Sequence, residues 1–215
     1  MQKRRAAIVA PVRTGVGAFG KSLRPVSVED LIAAVVNETI KRSGVDPAII
    51  EDVVVAQSYA NSEVPCVGRW AALQAGLPEH VPGMQLHRRC GGGLQAIING
   101  VMMIESGAGD VVLAGGVESM SNIEYYSTDV RWGKRAGSFT MHDRLDRGRE
   151  RSQLKDRFGY ISGMIETAEN LATKYGISRE AAEEYSVRSH QRAAAAWDEG
   201  GFDEEIGAVS IPQRK

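Results

Sequence analysis

Cysteine is scarce in this sequence of 215 residues, which contains only Cys66 and Cys90. Two cysteines cannot form the several disulfide bonds that stabilise small secreted proteins. Neither has a second cysteine or a histidine at the spacing of a zinc site, so we predict no metal site. Cys66 precedes a predicted helix and is expected to be an inert, buried, small hydrophobic residue. The cysteine content remains compatible with one reactive thiol, and Cys90 is the candidate.

The sequence also lacks an excess of charge and a long hydrophobic run. Its formal net charge of -1 gives no overall attraction to nucleic acid or to a membrane surface. The basic start is followed by one short apolar run, 6–10, before Pro11, which is too short for a signal peptide or a transmembrane helix. We therefore predict a cytoplasmic protein with no nucleic-acid partner and no membrane partner. Its partner is expected to be a small molecule or another protein.

The apolar residues are arranged as in a folded protein that alternates strands and helices. Hydrophobic residues make up 43% of the sequence and charged residues 25%, which is typical of a globular domain. Three short apolar runs, 6–10, 52–56 and 110–114, indicate buried strands. Start and stop signals predict a helix that begins at Ser27 and ends before Gly44. The pattern predicts a layered α/β domain with a largely parallel sheet.

The second part of the chain has a different texture. Aromatic and charged residues without clear periodicity fill residues 121–157, and long loops of this kind are usually functional or disordered. Helices are predicted at 164–175 and from Ser178 onward. We therefore divide the chain into a domain 1–120 and a partial loop domain 121–215.

Residues 15–22 read GVGAFGKS, which satisfies the pattern of a phosphate-binding P-loop. That pattern works when a strand runs directly into the loop and a helix begins at its Lys-Ser end, so that amide groups and the helix dipole face the phosphates. Pro25 disfavours a helix directly after Ser22, and the capping signal at Ser27 places the helix start later. A P-loop NTPase is therefore the least favoured interpretation, and a glycine-rich surface loop is preferred.

Cys90 stands between an extended apolar segment, 81–86, and the glycine cluster 91–93, after which apolar residues follow at helical spacing. This order predicts that the cysteine lies at the amino-terminal end of a helix. Such a position, or neighbouring cations such as Arg88 and Arg89, stabilises a thiolate. The glycines leave backbone amides accessible to a substrate carbonyl, and such amides stabilise the oxyanion that forms in acyl transfer.

Four motifs, in order along the chain, resemble those of the thiolase family. They are RTGVGAFG at 13–20, CGGGLQA at 90–96, GGVESMS at 115–121 and MIETAEN at 164–170. The first of them also accounts for the coincidental P-loop pattern. Because the motifs are spread over the chain, the resemblance is specific. The sequence is identified as the amino-terminal portion of a thiolase, either an acetyl-CoA acetyltransferase or a 3-ketoacyl-CoA thiolase.

The resemblance implies a layered α/β/α fold with a mixed, mostly parallel sheet and an irregular loop domain. It also implies CoA-dependent acyl transfer. Cys90 would accept an acyl group as a thioester from acyl-CoA or a 3-ketoacyl-CoA, and its backbone amide would donate to the oxyanion. Met164 would line the acyl pocket. The second substrate would be CoA or acetyl-CoA, and no covalently bound cofactor is expected. A role in fatty acid metabolism and assembly into a dimer or tetramer are also implied.

Three residues depart from the family pattern. Gly92 stands where a serine is common, Arg89 precedes the nucleophile where an apolar residue is frequent, and Gly163 stands where some members carry a histidine near the thioester. These departures leave the acyl preference open. They also keep open the alternative that the chain is a non-catalytic, thiolase-like subunit that binds acyl-CoA.

The remaining catalytic groups of the family occur in contexts that this sequence does not contain. These are a histidine in Gly-His-Pro, a second cysteine in Cys-x-Gly, and an asparagine. We therefore expect the carboxy-terminal half of the enzyme on a second chain, which is either a split-gene subunit or a proteolytic fragment. This chain alone is expected to be an incomplete fold and inactive.

The irregular segment is rich in cations, and two roles are open for it. It could meet CoA phosphates or a neighbouring subunit, or it could be a solvated loop that Asp143, Asp146 and Glu150 partly neutralise. The cations are Arg131, Lys134, Arg135, Arg144, Arg147, Arg149 and Arg151.

Overall fold

The computed structural model describes residues 4–160 and 163–211. The chain forms two compact units, of which one runs to Ile123 and resumes at Glu204, and the other is Glu124–Asp203. The predicted division was 1–120 and 121–215, whereas in the structure the segment from Glu204 onward returns to the first unit. No helix among the described residues is long and apolar enough to cross a membrane.

A parallel sheet of three strands forms the centre of the first unit. The strands are β1 (Asp52–Ala56), β2 (Gly83–Leu86) and β3 (Val112–Gly116), in the order β2-β1-β3. In register, Val53 of β1 pairs with Gly83 on one side and with Leu113 on the other. The predicted strand 52–56 is confirmed, and β3 begins two residues later than the predicted strand 110–114. Its central place explains the continuous valine run of β1, because a parallel strand covered on both faces is apolar throughout.

Alternate residues of β1 face two different helical layers. Val53 and Val55 belong to a core with α1 (Val28–Ser43) and α2 (Val67–Gln74) on one face of the sheet. Val54 and Ala56 point to the other face, where they pack against Ala96 of α3 (Gly92–Ser106). The period of two along a strand therefore produces the predicted α/β/α layering.

The helix ends follow the signals in the sequence. The hydroxyl of Ser27 accepts a hydrogen bond from the Asp30 backbone N–H (3.1 Å), which satisfies one of the free amides at the start of α1. Gly44 ends α1 in the left-handed conformation, with φ of 66°, and donates its N–H to Ile40 O. Ser178 caps the last helix in the same way as Ser27 caps the first, by accepting from Ala181.

The prediction of a strand at 6–10 is wrong for this structure. The segment is irregular, and Ile8 is 70% exposed. An apolar run becomes a buried strand only beside a partner strand, and within the described residues β3 pairs on one edge only, with β1. The amino-terminal segment is instead attached further along, where the Arg13 N–H donates to Glu205 O and the Gly207 N–H donates to Arg13 O, both at 2.8 Å.

The second unit contains more regular structure than its sequence indicates. Its elements are β4 (Tyr125–Tyr126), β5 (His142–Asp143), α4 (Arg144–Glu150), α5 (Lys155–Phe158), α6 (Met164–Tyr175) and α7 (Arg179–Asp198). Strands β4 and β5 pair antiparallel, so part of the segment predicted as irregular is a hairpin followed by two short helices. The helices predicted at 164–175 and from Ser178 are confirmed as α6 and α7.

Candidate functional site

Cys90 lies in a single turn of 3-10 helix, Arg89–Gly91, between the end of β2 and the start of α3. Its side chain is exposed to solvent. The turn closes with a hydrogen bond from the Gly91 N–H to Arg88 O (3.1 Å). The cysteine therefore precedes the first residue of α3 by two positions, which agrees with its predicted place at a helix start.

The residue before the cysteine has an unusual backbone conformation. Arg89 has φ of 47°, in the left-handed region that side chains rarely adopt. Such a conformation costs about 1–3 kcal/mol and persists only where neighbouring contacts hold it. Two of these contacts are a hydrogen bond from the Arg89 N–H to Nδ1 of His87 (3.3 Å) and a cation–π contact of its guanidinium with the ring of Tyr59, 5.4 Å from the centroid.

The two arginines expected beside the thiol have partners of their own. The guanidinium of Arg88 donates to Oε1 of Gln95 (2.5 Å), and the Gln95 amide donates in turn to Asn99 (2.7 Å) along α3. The guanidinium of Arg89 lies over Tyr59. The sequence predicted the proximity of these cations to Cys90 along the chain but not these contacts, since each depends on a residue of another turn or loop.

The start of α3 lies unusually close to the sheet. A Cβ added at Gly92 would lie 2.9 Å from Cβ of Ala56, closer than two carbon atoms approach. A Cβ at Gly116, at the end of β3, would lie 3.5 Å from Cα of Gly93. The departure from the common serine at position 92 therefore has a physical reason, because no side chain fits opposite the Ala56 methyl group.

The loops that follow β1 and β3 are joined beside this turn. A carboxylate oxygen of Glu118 accepts a hydrogen bond from the Ser58 N–H (2.8 Å), and both of its oxygens lie 3.4 Å from the Tyr59 backbone nitrogen. The Val117 N–H donates to Ala56 O (3.0 Å). Carboxyl ends of parallel strands meet at one edge of a sheet, which is where ligands bind in open α/β folds. Glu118 lies within the motif 115–121, but no local signal in the sequence distinguishes it.

Cys66, predicted to be a buried residue before a helix, is only partly buried in the structure. It lies directly before α2, and its thiol donates to the backbone oxygen of Gly83 (3.4 Å). That contact occurs where α2 and β2 approach closely, since a Cβ at Gly68 would lie only 2.3 Å from Met84 O.

Met164, predicted to line an acyl pocket, is the first residue of α6 in the second unit. Its side chain is 81% exposed. Gly163 caps the helix, and its carbonyl oxygen accepts from both the N–H (3.0 Å) and the hydroxyl (2.8 Å) of Thr167. The motif at 164–170 therefore forms the first turns of a capped helix.

The basic segment is partly neutralised by its own carboxylates, as one of the two open roles requires. The hydrogen bond to Glu150 raises the pKa of Arg147 above its ordinary value, and Asp143 caps α4 by accepting from the Leu145 N–H (2.9 Å). The ion pairs are Arg144–Glu124 (2.7 Å), Arg147–Glu150 (2.9 Å) and Arg149–Asp146 (2.7 Å).

The segment 15–22 does not have the flanks of a phosphate-binding loop. No strand of the described chain leads into it, and the next helix begins at Val28. The Lys21 N–H donates to Ala18 O (3.1 Å) within a turn, and the Gly20 N–H donates to the hydroxyl of Ser121 (2.8 Å). Two amides that a phosphate would need are therefore already engaged.

Among the described residues, no three His, Cys, Asp or Glu side chains are grouped as metal ligands.

Comparisons with known proteins give one consistent family. The family model described as thiolase, N-terminal domain, matches residues 6–215. A protein of Staphylococcus aureus (strain COL) named "Probable acetyl-CoA acyltransferase" is 38% identical over 212 residues, which are 98% of this chain and 52% of that protein. The protein of the same name from strain N315 is 37% identical over the same length.

A solved structure extends the likeness to the fold. The crystal structure of the Bacillus anthracis acetyl-CoA acetyltransferase matches with a TM-score of 0.90 at 35% identity, over 99% of this chain and 52% of that chain. The chain thus spans about half the length of the relatives that it matches.

Substitution of Gly92 tests whether the close approach of α3 to the sheet is required. Gly92→Ala should lower the free energy of unfolding by about 1–3 kcal/mol, because the added methyl group overlaps that of Ala56. The matched control is Gly93→Ala, whose Cβ meets nothing within 4 Å and which should stabilise the helix by about 0.5–1 kcal/mol. Urea denaturation measures both, and equal midpoints for the two variants would contradict the prediction.

Proposed function

The chain belongs to the thiolase family, as its amino-terminal domain, and from this premise we propose that it carries the acyl-accepting cysteine of a CoA-dependent acyltransferase. The thiolate of Cys90 attacks the carbonyl carbon of an acyl-CoA or 3-ketoacyl-CoA, and the bond from that carbon to its leaving group breaks. The leaving group is the CoA thiolate or the acetyl-CoA carbanion, and each takes up a proton. The observation that carries the proposal is an exposed thiol beside α3 in a strained turn.

The local backbone supports Cys90 itself as a donor to the oxyanion. The N–H groups of Gly91 and Gly92 donate to Arg88 O and Arg89 O, so they are engaged within the turn. The backbone N–H of the nucleophilic residue is then the candidate donor that this turn offers. A preorganised amide of this kind contributes most where charge develops in the transition state.

The second half of the cycle requires groups that this chain does not offer in the family's contexts. Transfer of the acyl group from Cys90 to CoA, or to the acetyl-CoA carbanion, needs a base that removes a proton from the incoming partner. Of the four histidines, His87 accepts from the Arg89 N–H, and the ring of His142 lies tilted against that of Tyr126, with the centroids 5.6 Å apart. We place the base, with the second cysteine, on the carboxy-terminal half of the enzyme.

The outer face of α3 supports the presence of that half. Leu94, Ile98 and Met102 recur at every fourth residue and are 66%, 41% and 62% exposed. The opposite face of the helix packs against the sheet through small residues, Ala96 and Gly100. A helix that is apolar on both faces belongs between two packed layers. The occupant that we propose is the carboxy-terminal half, because the relatives are about twice as long as this chain.

Two further proposals concern specificity and assembly. Met164, exposed at the first turn of α6, is proposed to line the acyl pocket, where an unbranched and adaptable side chain suits acyl groups of different shape. The exposed aromatic side chain of Trp132, between β4 and β5, supports a subunit contact in a dimer or tetramer of the assembled unit. Activity in fatty acid metabolism follows from the proposed substrates.

A non-catalytic subunit that binds acyl-CoA is the second candidate. It is favoured by two departures from the family pattern: Arg89, directly before the nucleophile, is engaged with Tyr59, and Gly163, at the start of α6, has no side chain. The two candidates differ in whether a covalent acyl group appears on Cys90.

Acyl labelling decides between them. Incubation of the chain, assembled with its carboxy-terminal half, with radiolabelled acetyl-CoA should place the label on the peptide that contains Cys90, because a thioester forms there. Cys90→Ala should abolish the label, and Cys66→Ala should retain it. Label on another residue, or no label on the assembled protein, would exclude Cys90 as the nucleophile.

A charge on the outer face of α3 tests the proposed partner. Leu94→Asp should weaken assembly with the carboxy-terminal half by about tenfold or more, because a buried, unpaired carboxylate is costly. Leu73→Asp is the control, since Leu73 is an exposed leucine on α2, on the other side of the sheet. Analytical ultracentrifugation measures both affinities. A similar loss in the two variants, or none in either, argues against this surface.

Substitution of Met164 tests the pocket. Met164→Ala should change the ratio of kcat/KM for butyryl-CoA to that for acetyl-CoA by about threefold or more, because pocket volume discriminates between acyl chains that differ by methylene groups. Ile165→Ala is the control, as the neighbouring side chain is also exposed at the start of α6. If the ratio moves equally in both variants, Met164 does not line the pocket.

A further inference from the structure

We propose that Glu118 is a positioning residue for Cys90 and that it acts through Tyr59 and Arg89. The inference rests on the proposed role of Cys90 as an acyl-accepting nucleophile. It assigns to Glu118 a task in the site that neither its charge nor its place in the sequence indicates. The chain of contacts runs from the loop after β3, through the loop after β1, to the turn before α3.

The first step is the hydrogen bonding of the Glu118 carboxylate to the loop after β1. Its carboxylate accepts from the backbone N–H of Ser58 at 2.8 Å and lies 3.4 Å from the backbone nitrogen of Tyr59. Hydrogen bonds from backbone amides to a carboxylate are charge-assisted and stronger than those between neutral groups. The next residue after β1, Gln57, donates its own N–H to Leu86 O at the end of β2 (3.1 Å). The loop is therefore held from both neighbouring strands.

The second step joins this loop to the turn that carries the thiol. The ring of Tyr59 lies 5.4 Å from the guanidinium carbon of Arg89, within the range of a cation–π contact. Because Glu118 engages the backbone of Tyr59 itself, the carboxylate determines where this ring lies. Loss of the carboxylate would release the ring and the stacked guanidinium together.

The third step is the backbone of Arg89. Its left-handed φ of 47° is held by contacts of the residue itself, and Cys90 follows immediately. When one of those contacts is lost, the backbone relaxes toward an ordinary conformation, since a strained residue depends on surroundings that over-determine it. Rotation about the Arg89 backbone moves the next residue, so the thiol leaves its place at the start of α3.

Thiol alkylation tests the inference without requiring CoA or a reaction cycle. The assembled protein is treated with iodoacetamide at one neutral pH, and the alkylation rates of Cys90 and Cys66 are followed by peptide mass spectrometry. Glu118→Ala should slow the alkylation of Cys90 by about fivefold or more, because the thiol leaves the exposed position that it holds before α3. Cys66, which is held by Gly83 O in the same unit, should change by less than about twofold.

Three further variants separate positioning from a general loosening. Glu118→Gln keeps an acceptor oxygen at the position of the carboxylate. The alkylation rate of Cys90 in this variant should lie within about twofold of the original rate. Tyr59→Ala should reproduce the loss, and the double variant with Glu118→Ala should be no slower than either single variant, because both act on one path. Glu105→Ala, at the far end of α3, is the control for removal of an exposed carboxylate.

Each other outcome overturns the inference. A Cys90 rate in Glu118→Ala that is unchanged or faster shows that the contact does not position the thiol. A glutamine variant as slow as the alanine variant assigns the effect to charge, and parallel changes in both cysteines assign it to the fold. Acetyl labelling reads the proposed function separately. If no label appears but the alkylation rates change as expected, the acyl-transfer role of Cys90 is contradicted. If label appears but the alkylation rates are unchanged, only the positioning role of Glu118 is contradicted.

Discussion

The contact between the first residue of α3 and the methyl group of Ala56 determines how the helix meets the sheet. At Gly92 there is no room for even one carbon atom more. The helix start is therefore held against the end of β1, and the turn that carries Cys90 is held with it. The end of β3 lies in ordinary contact with the same helix start, since a Cβ at Gly116 would lie 3.5 Å from Cα of Gly93, so the glycine cluster serves the packing of α3 on the sheet.

The surroundings of Cys90 are built from the ends of three parallel strands. The loop after β1 binds Glu118 from the loop after β3 and contacts Arg89 from the turn after β2. None of these residues is near another in sequence, so the strained backbone of Arg89 depends on tertiary contacts. The two faces of α3 differ in the size of their side chains. Small residues pack against the sheet, and larger apolar residues face outward.

Much of the fold could be predicted where one local signal had one structural meaning. Ser27 and Gly44 mark the ends of α1 because capping and the left-handed conformation are properties of single residues. The valine run of β1 predicted a covered strand. The run 6–10 carried the same signal and failed, since a strand also needs a partner, and the described residues of this run pair with no strand of the sheet. The basic segment lacks periodicity, so no local pattern indicated the hairpin and the short helices that it forms.

The sequence by itself determined the family, the order of helices and strands around Cys90, and the place of the thiol at a helix start, because motifs and caps are local. Only the tertiary structure decided that Arg88 and Arg89 have other partners. It also decided that Gly92 packs against the methyl group of Ala56 and that Glu118 binds the loop after β1. Those facts depend on distances between segments separated by tens of residues. Such distances follow from packing against the sheet, which no local pattern encodes.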